Sequence, residues 1–115
     1  MDNIIDLSYK IHELLLDSNE YKELKIKEKE MLDDDKASKL INDFKALEEK
    51  YGYDKEKDVL KELSNAKIKM NENNKVIAYK KAYKDYQILV GKITDICFEN
   101  LKKDDIFDKI LRKII

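Results

Sequence analysis

The sequence predicts an all-α fold: an elongated antiparallel helical bundle with one long helix in its C-terminal half and coiled-coil-like packing. Three observations carry this. The 115 residues contain no Pro and only two Gly, too few turn-formers for a sheet protein. Charged residues make up 43% of the chain and hydrophobic residues another 43%, a mixture typical of long amphipathic helices. Apolar residues recur three and four positions apart almost throughout, which puts them on one side of a helix. The length suits a single domain spanning 1–115.

The first helix starts near Asp2 or Asn3, either of which can cap free N–H groups. Its stripe is Ile4, Leu7, Ile11 and Leu14, with Leu15 beside it. Ser18 and Asn19 weaken the pattern, Tyr21 and Leu24 resume it, and Met31 and Leu32 close it. This reads as one bent helix or as two helices meeting near Ser18. Asp34 or Asp35 caps a helix carrying Ala37, Leu40, Ile41, Phe44, Leu47 and Tyr51, and Gly52 supplies a left-handed stop. Asp54 caps the next helix, with a stripe of Val59, Leu60, Leu63, Lys67 and Met70; only the alkyl stem of Lys67 would lie on apolar surface. Asn73 and Asn74 form the next break.

The long helix follows, from about residue 75 to 101. Its seam is Val76, Tyr79, Tyr83, Tyr86, Val90, Ile93 and Cys97, alternating threes and fours as a heptad does, and widened by Ala82, Leu89 and Ile96. A helix of that length is about 40 Å long. A compact domain of this size is only about 34 Å across, from a radius of gyration near 13 Å. The molecule is therefore elongated, or a partner covers the overhang, and a homodimer or higher homo-oligomer is expected. A last helix carries Ile106, Phe107, Ile110, Leu111, Ile114 and Ile115, an apolar terminus that needs a surface to pack on.

Composition narrows the function classes. The net charge is -1, with acidic and basic residues alternating, so there is no basic face of the kind nucleic-acid binders show. Arg112 is the only Arg, which leaves no forked clamp for phosphate. One cysteine allows no intramolecular disulfide and suits a reducing compartment. The N-terminus has no signal-peptide pattern, and no apolar run reaches the roughly 18 residues of a membrane span. The expected location is cytoplasmic.

No reactive constellation is visible. His12 is the single histidine, off the apolar seam, with no second histidine for a zinc site. Cys97 reads as a small buried side chain on the seam. Asp33, Asp34 and Asp35 read as a helix cap, because a calcium loop needs oxygens at alternate positions and a distal Glu. Gly91, in mid-helix, permits a close helix approach or a bend. The sequence therefore implies no enzyme, no cofactor and no metal. Tyr79, Tyr83 and Tyr86 with Lys80, Lys81 and Lys84 form the one aromatic-basic cluster. Tyrosines in a core or interface with solvated lysines explain it; binding of single-stranded nucleic acid is the alternative.

Several segments together resemble the YlbF/YmcA family of small helical bacterial regulators. They are SNEYKELKIKEKEML at 18–32, DDKASKLINDFKALEEKYG at 34–52 and MNENNKVIAYKKAYKDYQILVGKITDICFENL at 70–101. Glu20-Tyr21, Phe44, Asn73-Asn74, Val76 and Tyr79 occupy the family's motif positions. Asn74 stands where the family usually has Pro, and Asn serves a helix start equally well. The iron–sulfur cluster that some members carry on C-terminal cysteines is not implied, because this chain has Cys97 alone. The resemblance implies a helical bundle that self-associates; the family's best-known members form a complex that acts on a membrane-bound endoribonuclease, and this chain would act there or as a general member with another partner. RNA processing, competence, sporulation and biofilm formation would be affected through the endoribonuclease.

Overall fold

The computed structural model describes residues 2–102; the expected last helix from Ile106 to Ile115 lies outside them. Those residues form five helices and no strand: α1 (Asp2–Leu16), α2 (Asn19–Asp33), α3 (Asp35–Tyr53), α4 (Lys57–Glu72) and α5 (Asn74–Lys102).

Each break is a short polar segment that uses its own side chain. At the first, Ser18 has extended backbone, its Oγ accepts from the Tyr21 N–H at 3.1 Å, and the same hydroxyl donates to the Leu15 carbonyl at 2.6 Å. The chain therefore makes two helices here, not one bent helix. At the second, Asp34 Oδ2 accepts from the Ala37 N–H at 2.8 Å, which settles the cap on Asp34. At the fourth, Asn73 Oδ1 accepts from the N–H groups of Lys75 and Val76 at 2.9 and 3.2 Å. These bonds satisfy amides that a helix start otherwise leaves unpaired.

The third break departs from expectation. Gly52 lies inside α3, no described residue has a positive φ, and Asp54 ends the helix by donating its N–H to the Lys50 carbonyl at 2.9 Å. No left-handed stop is needed because the chain leaves α3 in extended backbone at Asp54. Glu56, not Asp54, occupies the position before α4 and makes no side-chain cap. Asp54 contributes from two residues before it, its Oδ1 accepting from the Glu56 N–H at 3.3 Å.

The helices pair in two antiparallel sets. α2 lies along α5: Tyr21 meets Tyr86 near one end, and Met31 packs with Val76 at the other, so one number rises as the other falls. α3 packs back along α4 after the short link at 54–56, and Leu40, Leu47, Glu62 and Lys69 line one groove between them. The breaks at Asp34 and Asn73 come side by side between the two pairs. Here the core forms: Met31, Ala37 and Val76 are buried, with Ile41, Met70 and Tyr79 packed against them. It draws on all four helices.

All six expected stripe residues of α3 are buried or half-buried. In α4 the inward set is Val59, Leu63, Ala66 and Met70. Lys67 is exposed, since Ala66 takes that place without desolvating an ammonium. The molecule measures 52 × 36 × 21 Å with a radius of gyration of 19.7 Å, against about 13 Å for a compact chain of similar length. α5, at 29 residues, accounts for about 43 Å of it.

Candidate functional site

The seam of α5 divides along its length. Val76 is buried, and Tyr79, Tyr86, Val90 and Ile93 are half-buried; Tyr83 and Cys97 are exposed. Ala82 rather than Tyr83 continues the buried line. The reason is the neighbour. Asn19, Glu20 and Glu23 of α2 come beside Ala82 and Asp85, and so small a side chain lets the two helices approach. The expectation of a buried Cys97 fails because α2 starts at Asn19 and does not extend that far along α5.

The tyrosines are engaged within the chain. Tyr21 and Tyr86 have ring centroids 5.6 Å apart at 55°, and Tyr79 stacks with Tyr83 at 6.2 Å and 27°. Burial, reinforced by the negative charge of Glu28, raises the Tyr79 phenol above its ordinary pKa, with Lys25 opposing. Lys80 donates to Asn71 across the Asn73 break. Along α2, Lys27 pairs with Glu23 and Glu30 at 3.7 and 3.4 Å, partly exposed pairs that contribute little to stability.

His12 is exposed on α1, and among the described residues no group of three His, Cys, Asp or Glu side chains is arranged to hold a metal ion. Asp34 acts as a cap. A Cβ built on Gly91 meets nothing within 4 Å, so this glycine permits no close helix approach.

What the fold leaves open is apolar. α1 touches the rest only sparingly, and Ile4 is 76% exposed, with Ile5, Leu7, Tyr9 and Leu14 also exposed. α5 runs about 20 Å past the start of α2, and on this overhang Ile96 is 77% exposed and Phe98 is exposed. Between the two lies a groove of about 340 Å³ lined by Ile11, Leu14, Leu15, Ser18, Leu89 and Ile93. Each of these apolar residues shows helical spacing in the sequence, but nothing there joins α1 to α5. No described helix is long and apolar enough to cross a membrane.

The family model described as "Control of competence regulator ComK, YlbF/YmcA" matches residues 4–102, which takes in all the paired helices and nearly all of α1. No curated protein and no solved structure matches the chain significantly. With 4–102 matched, the helical fold and the motif residues from Glu20 to Tyr79 have one explanation: this chain belongs to the YlbF/YmcA family of regulatory proteins.

Proposed function

We propose that this protein is a non-catalytic regulatory adaptor of the cytoplasm, acting by helix-mediated self-association and by binding other proteins. Its regulatory target is an endoribonuclease complex and, through it, RNA processing. The observation that carries this reading is the exposed apolar side chains on the N-terminal half of α1, Ile4 and Leu7 along one side and Ile5 and Tyr9 along another, on a helix with few contacts to its own chain. Burying such side chains against another helix contributes roughly 1.5–3 kcal/mol each. Regulatory control is the family's described role, which supports an adaptor over a catalyst.

The test is affinity purification of the tagged full-length protein from its native host, beside an Ile4→Asp/Leu7→Asp variant. The wild-type chain should recover an endoribonuclease or its partner proteins, and the variant should lose them while keeping its helical content. Recovery of neither, or equal recovery by both, would count against the proposal.

A further inference from the structure

We propose that α1 is a hinged arm, clasped to α5 by Ile11, Leu15, Leu89 and Ile93, which opens about Ser18 while α2 to α5 stay folded. The inference rests on the adaptor reading for its use, since the arm carries the side chains assigned there to protein partners, and it adds how they are regulated.

The clasp is thin. Ile11, Leu15, Leu89 and Ile93 line the groove between the two helices and are half-buried. Every other described side chain of α1 is exposed, including Leu14 at 61%, although it lines the same groove. Among the described residues, the buried side chains Leu24, Met31, Ala37, Val59, Val76 and Ala82 all belong to α2, α3, α4 and α5. Hydrophobic stabilisation follows the apolar area removed from water, so α1 is held far more weakly than the helices that build the core.

The hinge leaves α2 intact. Ser18 starts α2 with its own atoms: its Oγ accepts from the Tyr21 N–H, and its carbonyl accepts from the Lys22 N–H at 3.1 Å. Both bonds survive when α1 leaves. Across the joint run the bonds from the Ser18 N–H and hydroxyl to the Leu15 carbonyl, and an ion pair of Asp17 with Lys22 at 3.0 Å. Both members of that pair are exposed, so it holds the arm only weakly.

A detached α1 is also a poor helix. Fifteen residues alone are marginal in water, and its last turn has no basic residue to meet the negative end. Release and melting are therefore one local step. That step governs access to the arm. Ile4, Leu7, Ile11 and Leu14 share one side of α1. In the closed arm Ile11 and Leu14 are turned to α5, and Ile4 and Leu7 stand open. Opening frees the whole stripe and uncovers Leu89 and Ile93 with it. A partner that covers the whole stripe thus binds the open state and shifts the population toward it.

Hydrogen exchange with mass spectrometry tests this on the full-length Ile4→Asp/Leu7→Asp variant at high dilution. That variant lacks the side chains proposed for assembly, so its arm is read within one chain whether or not the wild type self-associates. Amides of 8–16 should be protected relative to a free peptide, yet exchange at least about 100-fold faster than those of 31–41 and 76–86. Low urea should hardly alter the rates at 8–16, because little surface is exposed by the opening. Adding Ile93→Ala or Leu15→Ala should speed exchange at 8–16 about threefold or more and leave α3 and α4 unchanged. Exchange at 8–16 as slow as in the core, or as fast as in a free peptide, would overturn the proposal. So would Ala variants that leave 8–16 unaffected or speed all five helices alike. Failure of the adaptor reading shows differently, as no partner recovered from the host with this exchange pattern intact.

Discussion

Asp34 and Asn73 perform the same operation side by side at the core: each caps a helix, and three residues after each comes one of the two least exposed of the core side chains, Ala37 and Val76. A break that costs backbone hydrogen bonds thus also fixes where each helix enters the core. Replacing either cap with Ala should cost about 1 kcal/mol in urea unfolding, whereas Asp34→Asn and Asn73→Asp, which keep an acceptor, should lose much less.

Ala37 is 0% exposed, so its environment has no room for growth. Ala37→Leu should destabilise by about 1–3 kcal/mol through overpacking. Ala46→Leu, at an exposed position of the same helix, should change stability by less than about 0.5 kcal/mol.

Tyr21 and Tyr86 link the far end of the α2–α5 pair. A double-mutant cycle with Leu at both positions should give a coupling energy of about 0.5–1.5 kcal/mol. A coupling near zero would mean that the rings contribute only as separate apolar surfaces.

Gly91 has helical backbone and open space around its missing Cβ. Gly91→Ala should raise stability by about 0.5–1 kcal/mol in the same unfolding assay, through helix propensity and a less flexible unfolded chain. A loss of stability would show that the glycine serves a contact this chain makes with another molecule.

These cases show where the sequence can be read directly. Ser18, Asp34 and Asn73 are legible as breaks because a capping side chain acts on amides two or three residues away, a local property. The long helix is legible because Val76 to Ile93 keep one period. Gly52 and Cys97 mislead for a shared reason: each reading assumes something about the neighbourhood. Gly52 looks like a stop only if the chain must turn there, and Asp54 ends the helix two residues later without a positive φ. Cys97 looks buried only if a partner helix runs the full length of the seam, and α2 ends short of it. The groove between Leu14 and Ile93 was beyond reach, because residues so far apart in sequence meet only through the fold.

Sedimentation equilibrium on the full-length protein, alone and as Ile4→Asp/Leu7→Asp, bears most directly on the proposal that the exposed face of α1 joins chains together. The wild type should show a mass of two or more chains of 13.7 kDa, and the variant a single chain with unchanged circular dichroism. A wild type that stays at one chain up to the highest concentrations reached, or a variant that assembles as well as the wild type, would contradict it.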